Sequence, residues 1–191
     1  MLKKSVLKNL FFQYKPFFVF LIKFLLLYIV LTVVYKLYLG KYDAEKFQTD
    51  GITTSVAFQA ERILLFLGEP VTTRASTEDA AVVVLLHDKP IVRIIEGCNA
   101  VSIIIMFTAF VFAFSSGWKK TLIYIIIGIV LIHILNVIRI VLLAMALDRY
   151  PKQEHILHGV IFPLFIYGFV FLLWVLWVQK FSGYAAKRVE K

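Results

Sequence analysis

The chain has 191 residues, a formal net charge of +9, and a composition that is 61% hydrophobic and only 17% charged. Soluble domains are about 45–50% apolar and about 25% charged, so a disordered tail and a collagen-like chain are excluded and a soluble enzyme is disfavoured. A single cysteine excludes an internal disulfide framework and a Cys-cluster zinc site. No metal or cofactor is expected. The size suits one membrane domain over residues 1–191. Membrane topology explains the basic balance better than nucleic acid does, and no nucleic-acid partner is expected.

A helix needs about 20 apolar residues to cross a hydrocarbon core of about 30 Å. Four stretches meet that length or approach it: residues 16–39, 99–115, 121–147 and 156–178. Lys23 and Lys36 lie near the two ends of the first and can snorkel to the interfaces. That stretch is too long for a signal-peptide core and no A-x-A site follows it, so it is expected to be retained. The second is the shortest. The third holds His133, Asn136 and Arg139, and the fourth ends in Trp174 and Trp177, an expected aromatic belt.

Basic residues set the orientation. Lys3, Lys4, Lys8 and Lys15 precede the first span, Lys119 and Lys120 join the second to the third, and Lys180, Lys187, Arg188 and Lys191 follow the fourth. With four spans they all fall on one side. The 40–97 loop carries six basic and nine acidic residues. Both termini are therefore expected in the cytoplasm, with the long loop and the 148–154 loop outside.

Within the long loop, Ile52, Val56, Ile63, Leu64 and Leu67 keep a helical period, with Thr and Ser at its start and Gly68 and Pro70 as a stop. An amphipathic helix on the membrane surface is one reading, and direct substrate contact is the other. AAVVVLLH and PIVRII are rich in β-branched residues and flank Asp88-Lys89-Pro90, which predicts a short β-hairpin. The expected fold is an all-α membrane protein: a four-helix bundle whose outer loop holds an amphipathic helix and a hairpin.

Ionisable residues inside a span are costly and point to function. Arg139 lies roughly 27 Å along the third span and about 12 Å short of Leu147. Asn136 and His133 lie successive turns below it. The bland alternative for Arg139 is snorkelling, or a structural pair with Glu96 or Asp148. His133 is expected to make a helix–helix hydrogen bond. A lone membrane Cys is commonly a packing residue. Cys98, however, sits where the loop meets the second span, and a helix N-terminus favours the nucleophilic thiolate. His155 and His158 occupy the mouth of the fourth span, three residues apart and roughly on one helix face. Cys98, Arg139 and His155 thus project to one depth on one side. A nucleophile, a cation and a base are the parts that acyl transfer through a thioester needs.

At these residues the sequence resembles the exosortase/archaeosortase family of membrane cysteine transpeptidases. Glu96-x-Cys98-x-Ala100 resembles the family's E-x-C-x-G/A block, Asn136-x-x-Arg139 its N-x-x-R block, and His155-x-x-x-Gly159 its H-x-x-x-G block. Ala100 stands where Gly is common. The short length and the EGCNA wording look most like the exosortase F subgroup. The resemblance implies Cys98 as nucleophile, Arg139 as stabiliser and His155 as proton-transfer residue, with His158 in reserve and Asn136 and Glu96 supporting. It implies exported proteins as substrates, each ending in a short motif, a transmembrane helix and a basic tail. They would be cleaved at the outer surface of the bacterial plasma (inner) membrane, and the acyl group passed to an acceptor amine or to water. Membrane lipid would surround the bundle. The rival readings are a non-catalytic membrane subunit of cell-surface polymer or protein export, and a lipid-headgroup transferase or hydrolase using His and Arg without Cys.

Overall fold

The computed structural model describes residues 2–115 and 117–181, with side chains from residue 14 onward except residue 44. Ser116, Lys187, Arg188 and Lys191 lie outside the described residues. The chain is mostly helical, and three of its described helical segments are long and apolar enough to cross a membrane: Tyr14–Leu39, Trp118–Arg149 and Pro151–Phe181. The first belongs to α1 (Leu2–Leu39), a helix that runs through Pro16 rather than starting there. α1 is peripheral. Val19, Ile22, Leu26 and Val34 are all exposed, as suits a lipid-facing helix that no aqueous core could accommodate.

The expected 99–115 span is shorter than its sequence suggests. Helix α3 covers Val101–Ala113, which at 1.5 Å per residue is about 20 Å long. The flanking residues do not extend it. Ala100 is in the left-handed conformation at φ 64°, and Ala113 gives way to a turn at Phe114. α3 lies largely inside the bundle, where Ile105, Phe107, Ala109 and Val111 are buried against protein.

α4 (Trp118–Arg149) is the spine of the molecule. Its N-terminal half packs on α3 and on α6 (Phe162–Leu176) in an aromatic cluster with Phe107, Ile132 and Trp177. Gly128 makes that approach possible, since a Cβ there would overlap the Phe107 ring. The expected aromatic belt is corrected: Trp177 is fully buried, with Tyr124 4.7 Å away, and Trp174 stacks on Phe110 at 4.4 Å.

The C-terminal half of α4 supports a different layer. α2 (Gly51–Phe66) and the strands β1 (Val71–Ala75), β2 (Ala81–Leu86) and β3 (Lys89–Ile95) fold onto Val137, Ile140, Leu143, Ala144 and Leu147. α2 buries Thr53, Val56, Ala57, Ala60 and Leu64, while Leu67, expected on that face, is half exposed. The small residues Ala57 and Ala60 let the helix sit close, and fully burying Val56 and Leu64 contributes roughly 1.5–3 kcal/mol each. Phe58, Leu65 and Phe66 remain exposed on the far side. Asp50, rather than the Thr and Ser that follow it, caps the N-terminus, accepting from the N–H groups of Ile52 and Thr53. Gly68 at φ 85° closes the other end with the paired bonds Glu69 N–H to Leu64 and Gly68 N–H to Leu65.

The strands form one antiparallel sheet of order β1-β2-β3, so the expected hairpin has a third strand beside it. Its two-residue turn is His87-Asp88, with positive φ at both positions as a type I′ turn requires. Pro90, which has no N–H to donate, lies in β3 where the register slips between Val84 and Leu85.

Candidate active site

Cys98 ends a 3-10 turn, Glu96–Cys98, that leads out of β3 toward α3. It is partly buried and touches the core beneath the sheet. Two buried asparagines hold it. On one side the fully buried Asn136 of α4 donates from Nδ2 to the Cys98 carbonyl at 2.7 Å. On the other, Asn99 accepts from the Val101 N–H at 2.9 Å, and its Nδ2 donates to Tyr35 Oη at 2.8 Å and to Thr53 Oγ1 at 3.1 Å. Thr53 Oγ1 in turn donates to the Asp50 carboxylate. The Tyr35 hydroxyl also lies within interaction range of the Glu96 carboxylate. This chain ties α1, the α2 cap and the start of α3 to the cysteine turn. Each buried polar group in it has a partner, which is the condition for such a network to rigidify rather than destabilise.

The sequence reading missed Asp50, Thr53, Asn99 and Tyr35. A signal was present for two of them: Asn99 adjoins Cys98 in an apolar setting, and Asp50 immediately precedes the helix. Ala100 is the strained point of the segment. A non-glycine residue in the left-handed region costs roughly 1–2 kcal/mol, which explains why glycine suits the position.

Arg139 is buried, at 9% exposure. It pairs with neither Glu96 nor Asp148; Asp148 instead lies 3.7 Å from His87. Its one hydrogen bond among the described residues runs from Nη1 to Asn136 Oδ1 at 3.5 Å, and its Nε has no partner. A buried cation with donors left over is costly, and it forms a ready receptor for an anion. Cys98, Asn136 and Arg139 are thus linked in a row. His133 is engaged elsewhere, bonding Gln59 of α2 at 2.8 Å, the helix–helix bond expected of it.

The histidines of the fourth span lie in different local backbone. Glu154–Ile156 forms one short helical turn, α5, followed by a π turn over Leu157–Ile161. Pro163 accounts for the change: with no N–H, it cannot close the α-helical bond to the Gly159 carbonyl. Of the two histidines, expected on one face, only His158 is among the residues that line the groove beside β3. His158 lines a groove of about 530 Å³ with Ile95, Leu143, Leu147 and Glu154. His155 is exposed and has no hydrogen bond or ion pair among the described residues.

The sequence matches the family model described as transmembrane exosortase over residues 9–178, about nine-tenths of the chain. The chain belongs to the transmembrane exosortase family. No curated protein and no solved structure matches it. For an exosortase, a generally cysteine peptidase/transpeptidase family, membrane-length helices carrying a polar layer are coherent: all three motif blocks lie within the matched region, and two of them meet at the Asn136–Cys98 bond.

Proposed function

We propose that this exosortase cleaves C-terminal sorting signals of exported proteins through a thioester on Cys98. The observation that carries the reading is the buried Arg139 with an unpartnered Nε, one residue removed from the cysteine turn through Asn136. The Cys98 thiolate attacks the scissile carbonyl, and the negative charge that develops on oxygen is stabilised by the guanidinium in a dry setting. Collapse forms the thioester and expels the C-terminal segment as an amine, which takes its proton from a histidine. An acceptor amine or water then attacks the thioester and releases Cys98. His155 is the histidine of the motif and is assigned the proton; His158, on the groove wall, is the alternative.

The proposed setting is a plasma membrane with the N-terminal flank of α1, the link between α3 and α4 and the C-terminal flank of α6 in the cytoplasm. α3 then crosses in spite of its length. Protein covers much of it, and the 3-10 turn that leads into it lies against protein, where irregular backbone is tolerated. The exosortase F subgroup is the best fit within the family.

The test uses a tagged exported protein of the same genome that ends in a short motif, an apolar span and a basic tail, expressed in cells lacking the native enzyme. Restoring the chain should restore processing, and Cys98→Ser at equal protein level should abolish it. Full processing by Cys98→Ser would end the cysteine reading and leave the non-catalytic membrane subunit in front. His155→Ala should abolish processing and His158→Ala only weaken it; the reverse order assigns the proton to His158.

A further inference from the structure

We infer that the free edge of β3 binds the extended segment of the substrate that precedes the scissile bond, as an added strand running parallel to β3 toward Cys98. The inference rests on the proposed cleavage reaction. It starts from the direction of the sheet's hydrogen bonds. The bonds from Ser76 N–H to the Ala81 carbonyl and from His87 N–H to the Pro70 carbonyl fix the phase of the β1–β2 ladder. Antiparallel bonding alternates. In β2, residues Ala81 and Val83 therefore face β1, and Val82 and Val84 face β3, opposite Ile94 and Val92. The remaining β3 residues, Arg93 and Ile95, turn their N–H groups outward, and Arg93 its carbonyl too. The Ile95 carbonyl begins the 3-10 turn that ends at Cys98.

Nothing in the described fold covers this edge. β3 is the last strand of the sheet, and no backbone partner beyond β2 bonds to it among the described residues. The opposite edge is treated differently. There the Thr73 N–H and hydroxyl both bond the Glu61 carboxylate, at 3.1 and 2.9 Å. One edge is closed by a side chain and the other opens on the groove that His158, Leu143 and Leu147 line. An open edge is a hazard unless used or blunted, and strand addition is a common mode of peptide recognition.

The occupant follows from continuity. β3 passes into the cysteine turn three residues before Cys98, so a chain laid along it arrives at the nucleophile. The substrate's transmembrane segment follows its scissile bond, so the preceding segment runs toward Cys98 in the same sense as β3. The Arg93 carbonyl and the Ile95 N–H are the two groups that one parallel bridge takes from a strand. Ile95, 46% exposed, offers a side chain for the added strand to cover.

The experiment places a photo-crosslinking amino acid at Ile91, at Arg93 or, on the opposite edge, at Thr72, in the full-length Cys98→Ser chain in membranes with the tagged reporter. The expected result is crosslinking from positions 91 and 93 and none from 72. In the active chain, Ile95→Pro removes the outward N–H without touching the bonds to β2. It should lower processing at least tenfold, whereas Ile95→Ala, which keeps the N–H, should lose less than threefold. Should the proline variant melt below the parent, the crosslinks decide alone. Processing that depends on Cys98 while the reporter crosslinks from 72, or from none of the three, overturns the edge and leaves the cleavage reading standing. Processing indifferent to Cys98 overturns the cleavage reading itself.

Discussion

The two halves of α4 follow opposite rules. Its N-terminal half meets α3 and α6 through rings: Phe107 fills the space over Gly128, and Tyr124, Trp174 and Trp177 pack inward. Its C-terminal half meets α2 and the sheet, and there it buries Asn136 and Arg139 among Val137, Ile140 and Leu143. The first half gains stability from close packing, enough to bury the Trp174 and Trp177 indole N–H groups without a partner among the described residues. The second holds a guanidinium whose donors are not all used, and so gives up stability at the place where the motif residues collect. Such a division is what a stability–function trade-off produces.

The sharpest way to break the contrast is Arg139→Met. It exchanges a buried, under-bonded cation for an apolar side chain of similar length. We expect processing to vanish while the thermal midpoint in detergent stays equal or rises, because removing a poorly compensated buried charge is commonly neutral or stabilising. A midpoint that falls sharply would make Arg139 a structural residue. The mirror experiment is Gly128→Ala. A methyl group against the Phe107 ring should cost roughly 1–3 kcal/mol, read as a lower midpoint, and Phe107→Leu in the same chain should recover part of it.

A smaller effect is expected at Ala100, where glycine removes the left-handed penalty. Ala100→Gly should stabilise by up to about 1 kcal/mol, the gain being reduced because glycine also loosens the unfolded chain. The smallest is at the sheet's solvent face. The Ser76 hydroxyl, and after it the Arg93 guanidinium 2.6 Å away, hold the Asp79 carboxyl below the ordinary carboxylate range. A depressed acid contributes stability above its unfolded value, about 3.9. That contribution is lost as pH falls through the lower folded value. A melting series from pH 6 to pH 3 should show a small loss below pH 4 that Asp79→Asn lacks.

The same contrast decides what the sequence could reveal. The long apolar stretches of α1 and α4 were legible because length and hydropathy alone set them. α3 was overestimated because Ala100 and Phe114 continue its apolar run in sequence, while the left-handed turn at Ala100 cuts it in space. β1 escaped notice because only Val71 of its residues is buried, so no alternation marks it. In the site, Cys98, Asn136 and Arg139 stood out as polar residues in apolar surroundings. Tyr35 did not, because a tyrosine near the end of an apolar helix is ordinary and its bond to Asn99 spans 64 positions. His155 and His158 are equivalent on α-helical spacing, whereas the backbone turns π over Leu157–Ile161 just ahead of Pro163.

The proposed reaction turns on a covalent bond between Cys98 and substrate. The most direct measurement is mass spectrometry of the full chain recovered from membranes after exposure to the tagged reporter, with and without hydroxylamine, which cleaves thioesters. The expected result is a reporter fragment attached at Cys98, released by hydroxylamine, and absent in His155→Ala, which lacks the proton donor for the leaving amine. Processed reporter with no adduct on Cys98, and processing retained in Cys98→Ser, would contradict it.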